Sequence, residues 1–254
     1  MSILSRFQTI KDTDKRRAVH TLVERSTPDF DFFFMVTLAV LMASFGLLIG
    51  SVTIVIGSML IAPLLYPVLG VALGLSMSDP LLLRQSLWTV TKALLIMVGA
   101  AALATLFFSA THGGSAMKET AITLTQAKPS LLLLLVGVIA GIAVAYALVK
   151  PKLSETLPGI AISVALIPPL AATGIGVAAL NPTLAFGALA AFFVNVLGIV
   201  AAGMATFSLM DVYHLRETAD RTLVHEAVRM AREDEKAKAV DGEVKEKITP
   251  PDAS

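Results

Sequence analysis

Two prolines carry the strongest chemical signal in this chain. Pro63 stands in the apolar run Ile56-Gly-Ser-Met-Leu-Ile-Ala-Pro-Leu-Leu-Tyr-Pro67, and Pro168 in Ile160-Ala-Ile-Ser-Val-Ala-Leu-Ile-Pro-Pro169. A proline inside a helix removes an amide donor and clashes with the carbonyl four residues back. The carbonyls of Met59, Pro63, Val164 and Ala165 therefore lose their helical partners. In hydrocarbon such a carbonyl costs several kcal/mol, so it must find another partner or line a wet cavity. The hydroxyls of Ser58, Tyr66, Ser163 and Thr173 lie in the same segments. Freed carbonyls, half-helix ends and hydroxyls are the groups from which a site for an ion or small solute is built near mid-membrane. The competing reading is a pair of kinks that only shape packing.

Other chemistry is scarce. The chain has no cysteine, which excludes disulfides, thiolate metal sites and thiol nucleophiles. Its histidines, His20, His112, His214 and His225, are far apart and outside the apolar runs. No Asp or Glu falls inside a predicted span, which disfavours a carboxylate proton relay. Alkali cations held by carbonyls and hydroxyls stay open, as do anions at half-helix N-termini. No phosphate loop, dinucleotide fingerprint or nucleophile–base set occurs. The expectation is no enzyme, no cofactor and no metal. Asn195, the amide deepest in a span, reads either as pathway lining or as interhelical glue. Lys92 sits one turn beyond Trp88, where a long cationic side chain snorkels to the headgroups.

The elements that must position these residues follow from composition. Apolar residues make up 56% of the 254 and charged residues 15%, with mean hydropathy +0.78. Soluble domains are nearer 45–50% and 25%. No Asp, Glu, Lys or Arg occurs from Phe32 to Ser78 or from Thr156 to Met210. A soluble enzyme, a disordered chain and a nucleic-acid-binding domain are excluded. An all-α polytopic membrane protein, with the lipid bilayer as partner, remains. Residues 2–31 are too polar for a signal peptide, so the first span is expected to be uncleaved.

A span needs about 20 apolar residues. The two long runs must each fold back, at Gly50-Ser51 and Asn181-Pro182. Six helices result: 32–50, 52–77, 88–110, 131–149, 157–180 and 183–208. The domain reading is a polar segment 1–31, a membrane domain 32–208 in two parts (32–110 and 131–208), and a tail 209–254. Six spans put both termini on one side. Eighteen of the 20 Lys and Arg residues fall on that side, so both termini are expected to be cytoplasmic. An alternative makes helices 2 and 5 re-entrant hairpins, which would move Arg84, Lys150 and Lys152 outside.

The two parts share punctuation. Pro28 pairs with Pro129, Pro63 with Pro168, and Pro80 with Pro182, at offsets of 101, 105 and 102 residues. Three matches in order predict a repeat. Three helices per repeat force the second to enter from the opposite face. The prediction is two inverted three-helix repeats with Pro-interrupted second helices, a pattern of secondary transporters. Gly46/Gly50, Gly70/Gly74 and Gly137/Gly141 have small-xxx-small spacing, which suits close packing within the chain or in a homo-oligomer.

At the ends, Ile3, Phe7, Ile10, Val19, Leu22 and Val23 among basic residues suggest an amphipathic helix on the membrane surface. The tail from Asp211 to Val240 alternates acids and bases as a solvated or partner-pairing helix does. Residues 241–254 read as disordered.

The stretches Gly57-Ser-Met-Leu-Ile-Ala-Pro63, Pro67, Gly70-Val-Ala-Leu-Gly74, Ser163-Val-Ala-Leu-Ile-Pro-Pro169, Gly174-Ile-Gly176 and Asn195 resemble a bacterial and archaeal membrane family, domain of unknown function 389. The resemblance covers about 32–208. It implies a prokaryotic inner-membrane location and no particular substrate. Many relatives resemble this chain in the membrane region and carry a larger soluble domain besides.

The sequence therefore predicts a transporter or channel-like permeation protein for an ion or small solute. Its site lies between helices 2 and 5, lined by Ser58, Pro63, Tyr66, Pro67, Ser163, Pro168, Pro169 and Asn195. The rival is a non-transporting scaffold or sensor acting through its cytoplasmic ends.

Overall fold

A computed structural model of the chain describes residues 11–61, 63–112, 121–150, 153 and 166–248. In order the helices are α1 (Asp12–Ser26), α2 (Phe30–Leu48), α3 (Val52–Ile61), α4 (Leu65–Met77), α5 (Pro80–His112), α6 (Ala121–Gln126), α7 (Leu131–Val149), α8 (Ile167–Ala178), α9 (Pro182–Leu209) and α10 (Arg216–Ile248), with a 3-10 turn at Tyr213–Leu215. Among the described residues there is no strand. Helices α2, α5, α7 and α9 are each long and apolar enough to cross a membrane, and α3 with α4 forms a further candidate span bent by 55°. The molecule is a helical membrane protein. Of the predicted fifth helix, the second half is α8, which has 12 residues; the first half lies outside the described residues.

Local chemistry explains where the helices begin. Asp29 accepts from the Phe32 amide at 2.8 Å, and Ser130 from the Leu133 amide at 3.2 Å. Each satisfies one of the amides that a helix start leaves without a partner. One hairpin is built twice. Ser78 (φ 51°) ends α4 and Leu180 (φ 53°) ends the turn after α8, both left-handed. The next amide reaches back to a glycine carbonyl in each case, Asp79 to Gly74 and Asn181 to Gly176, both at 2.9 Å. That six-to-one bond is a Schellman closure. The side chains of Asp79 and Asn181 then cap α5 and α9 through Leu82 (3.2 Å) and Leu184 (3.1 Å). A β-carbon on Gly74 would meet the Leu83 amide nitrogen at 2.9 Å, and one on Gly176 that of Ala185 at 2.6 Å. Only glycine lets the two helices of each hairpin approach so closely. α5 departs from the sequence reading: it starts at Pro80, eight residues before Trp88, because Asp79 and Pro80 form a local start signal that Arg84-Gln85-Ser86 obscures in an apolar window.

Small residues set the helix contacts. α7 lies along α9, where a β-carbon on Gly137 would come within 2.7 Å of the Asn195 carbonyl oxygen and one on Gly141 within 2.6 Å of that of Ile199. The partner numbers rise together, so these two helices run parallel. α4 packs against α5 and α9, and α8 against α5, α9 and α2. Gly203 on α9 faces Ala72 on α4, and Gly174 on α8 faces Ala101 on α5.

The chain ends are packed more tightly than the sequence suggests. The apolar side of α1 is covered by the bundle: Val19, Leu22 and Val23 are buried, and α1 touches α4, α5, α7 and α10; Ile3, Phe7 and Ile10 lie outside the described residues. α10 runs parallel beside it, with Asp12 opposite His214 (3.8 Å) and Arg16 donating to Thr218 (3.4 Å). α10 continues to Ile248, through a stretch whose composition predicts disorder. Pairs one turn apart, Arg221 with Glu217 and Arg229 with Glu226 and Glu233, support its exposed length.

These contacts predict a contrast between two glycines. Gly174→Ala would drive a methyl into Ala101 and to 2.7 Å from the Val98 carbonyl oxygen, whereas Gly99 has nothing within 4 Å. Overpacking of that kind costs about 1–3 kcal/mol. Thermal unfolding in detergent should show a clear loss for Gly174→Ala, and none for Gly99→Ala, which gains helix propensity.

Candidate functional site

The break between α3 and α4 is where backbone chemistry leaves the helical pattern. Pro63 cannot continue the amide ladder, and the Tyr66 amide instead donates to the Pro63 carbonyl at 3.3 Å. A tight turn closes and α4 starts on a new axis. The Pro63 carbonyl is therefore satisfied within the chain rather than presented to a ligand. Two neighbours then fix Tyr66. Ser26 of α1 donates to its carbonyl at 2.9 Å. Arg25 donates to its hydroxyl at 2.7 Å and lies 4.9 Å from its ring centroid, a cation over an aromatic face. Behind them Thr89 donates to the Ser26 carbonyl at 3.3 Å, and Gln85 to the Thr27 hydroxyl at 3.0 Å. A β-carbon on Gly70 would fall 2.5 Å from the Ser86 hydroxyl and 2.7 Å from that of Ser26. The last turn of α1 thus forms a polar plug seated on α4 and α5 beside the break.

A cavity of about 450 Å³ opens at this point, lined by Arg25, Asp29, Asp31, Pro63, Tyr66 and Arg229 among others. Phe32 and Met35, from the first turns of α2, form its apolar wall. The break therefore opens beside the last turns of α1 and the first turns of α2. Arg229 enters from α10, held by Glu226 at 2.9 Å and Glu233 at 3.7 Å. Asp29 is occupied as the cap of α2. Charges of both signs meet beside an interrupted apolar helix. A polar cavity of this kind is where irregular backbone is tolerated at membrane depth.

The predicted site residues distribute unevenly around it. Pro63 and Tyr66 line the cavity. Ser58 is buried and turns back onto its own helix, donating to Val55 at 2.6 Å. Pro67 is buried in the first turn of α4. Pro168 and Pro169 are buried in the first turn of α8, where missing amides cost nothing, and Thr173 donates to the Pro169 carbonyl at 2.8 Å. Asn195 is fully buried against Gly137 on α7. Ser163, with the carbonyls of Val164 and Ala165, lies outside the described residues. α8 touches α3, so the two interrupted segments approach each other, yet Pro168 is not part of the cavity wall. Sequence reasoning missed Arg25 and Arg229. Arg25 stands just ahead of a span and reads as a topology signal, and Arg229 lies more than 160 residues from Pro63. Among the described residues no cluster of His, Asp or Glu could hold a metal.

A second electrostatic feature ties α10 to the hairpin. Asp79, buried in the α4–α5 turn, faces Asp220 of α10. Burial, the Asp79 charge and a hydrogen bond with Asp79 raise Asp220 above the ordinary 3.8, against a lowering by Arg216.

Comparison with known proteins places this core. The family model described as domain of unknown function (DUF389) matches residues 59–201, more than half of the chain, and the chain belongs to that family. The match contains Pro63, Tyr66, α4, α5 and α7 to most of α9, and leaves out Arg25 and Arg229. The uncharacterized protein MJ0678 of Methanocaldococcus jannaschii is 28% identical over 178 residues, 70% of this chain and 53% of that protein. The chain thus spans about half the length of the curated relative it matches. No solved structure matches it.

The Asp79–Asp220 pair gives a pH prediction. A carboxyl raised in the docked state stabilises docking below its ordinary range, and that contribution is lost as pH rises through the raised value. Asp220→Asn imitates the protonated form. At neutral pH the variant's α10 should resist limited proteolysis longer than the natural chain's, and the difference should vanish below about pH 4.

Proposed function

We propose that this protein is a transporter or channel-like permeation protein for an ion or small solute, built from two inverted three-helix repeats making six spans. The observation that carries the reading is a reciprocal pair of contacts. Ala72 faces Gly203, and Gly174 faces Ala101. Adding 102 to the residues of the pair 72 and 101 gives 174 and 203, so each contact is the image of the other under the offset of the twin hairpins. A contact in which i meets j′ while i′ meets j is the signature of two-fold symmetry. Orientation supports inversion. Thr123, just ahead of α7, donates to the Leu47 carbonyl at the end of α2 at 3.4 Å, so the second repeat starts on the face where α2 finishes. The parallel pairing of α7 with α9 fits an up-down-up repeat.

In this reading the cavity beside Pro63 is the cytoplasmic vestibule. The solute path continues to where α3 and α8 approach, with Tyr66 as a lining group and Ser58, Pro67, Ser163, Pro168, Pro169 and Asn195 shaping the two breaks. Both termini are cytoplasmic in the inner membrane, and the protein is not an enzyme, uses no cofactor and takes no nucleic acid. A second reading has one observation in its favour. Arg229 inserts from a 33-residue helix, α10, into the same cavity, as a sensor arm does. Under it the protein is a scaffold or sensor acting through its cytoplasmic ends.

Flux through proteoliposomes separates the two. Under imposed cation, anion and small-solute gradients the natural chain should conduct one class. The double variant Pro63→Ala with Pro168→Ala returns an amide donor at each position, and it should lose that flux while keeping its melting behaviour. Flux that survives the double change removes the breaks from the path. Loss of function only on deleting α10 favours the sensor.

A further inference from the structure

α5 is longer than a membrane requires. Its 33 residues extend about 50 Å at 1.5 Å per residue, against about 30 Å of hydrocarbon. Its cations, Arg84 and Lys92, both fall in the first 13 residues, and no Asp or Glu occurs from Pro80 to His112. The surplus length therefore projects at the Arg84 end, and the segment from Arg84 to Lys92 crosses the headgroup layer. Arg84, Trp88 and Lys92 stand four residues apart, on one face of the helix. Trp88 is 59% exposed, and the Lys92 amine lies 5.1 Å from its ring centroid.

This face borders a groove of about 720 Å³ between α5 and α10, lined by Leu81, Arg84, Leu87, Trp88, Leu223 and Val224 among others, with no carboxylate in its wall. The nearest acids of α10 are engaged elsewhere, Asp220 with Asp79 and Glu226 with Arg229. Beyond Lys92 the exposed stripe continues into the hydrocarbon through Leu95, Leu103 and Phe107, each about two-thirds exposed. The groove thus has Arg84 in its wall and Lys92 at its rim on Trp88, is apolar toward the chains, and is closed on its polar side by a charged helix that cannot itself enter lipid.

We infer that the groove binds one anionic phospholipid, its phosphate between Arg84 and Lys92, its glycerol region on Trp88, and an acyl chain along the Leu95–Phe107 stripe. Basic side chains at this depth recognise anionic headgroups, and each adds roughly fivefold in affinity.

Trp88 is the single tryptophan of the chain, so its fluorescence reads the groove directly. The test places the full chain in vesicles containing brominated phosphatidylglycerol or brominated phosphatidylcholine and measures quenching of Trp88. The natural chain should prefer the anionic lipid by about tenfold or more, in line with two cations. Arg84→Gln with Lys92→Gln should reduce the preference to near one, whereas Arg84→Lys with Lys92→Arg should retain it. Inorganic phosphate or glycerol phosphate in the buffer should leave quenching unchanged. Equal quenching by the two lipids in the natural chain overturns the inference. So does a preference that survives the glutamine variant, or one that the charge-keeping variant loses. Relief of quenching by free phosphate would instead assign the cations to a soluble anion.

Discussion

A proline inside an apolar helix strips a carbonyl of its amide, and lipid offers nothing in return. The rest of this structure is arranged around that constraint. Beside Pro63 the chain answers with a tight turn in which the Tyr66 amide takes up the Pro63 carbonyl, the one that Pro67 strips of its partner. The resulting bend exposes polar backbone at the start of α4, and the last turn of α1 covers it through Ser26 and Arg25. At Pro168 the answer differs. The prolines sit in the first turn of α8, where no amide is missed, and the segment is buried. Pro63 lines an open cavity, whereas Pro168 is enclosed.

This asymmetry gives the repeat a physical meaning. The twin hairpins at Ser78 and Leu180 and the reciprocal pairs Ala72–Gly203 and Gly174–Ala101 describe parts that match. The cavity at Pro63 describes surroundings that do not. α1 has 15 residues and carries the polar plug, whereas α6, which stands in the same place before α7, has six. Under the proposed transport reading, matching parts in unlike surroundings are what would let the two ends open by turns. The DUF389 match over residues 59–201 covers the matching cores and excludes the plug.

Much of this was legible in the sequence where a local rule decides the outcome. Asp79-Pro80 and Asn181-Pro182 are start signals that act within one turn, and the hairpins fall there. Leu131–Val149 has no competing polar residue, so composition alone defines α7. Legibility failed where a partner distant in sequence decides. The apolar stripe of α1 shows that some surface must cover it, but not whether that surface is lipid or α4. Ser58 reads as a free hydroxyl, yet a helical carbonyl three residues back is always within its reach. Tyr66 was legible as a lining residue beside Pro63, but the partner of its hydroxyl, Arg25, 41 positions away, was not. The first turns of α5 were hidden because a helix that outgrows the bilayer turns polar without ending.

The central claim is that the break at Pro63 is a water-reachable opening in an apolar bundle. The natural chain has no cysteine, so single cysteines can be placed without background. Modification by a membrane-impermeant thiol reagent at Tyr66→Cys, compared with Leu103→Cys on the lipid-exposed side of α5 and Ser44→Cys in the core, where serine is fully buried, is the most direct measurement. The account predicts rapid labelling at 66 from the side that carries α1 and α10, and none at 103 or 44. Labelling at 66 as slow as at 44, in protein that retains its native melting profile, would contradict it.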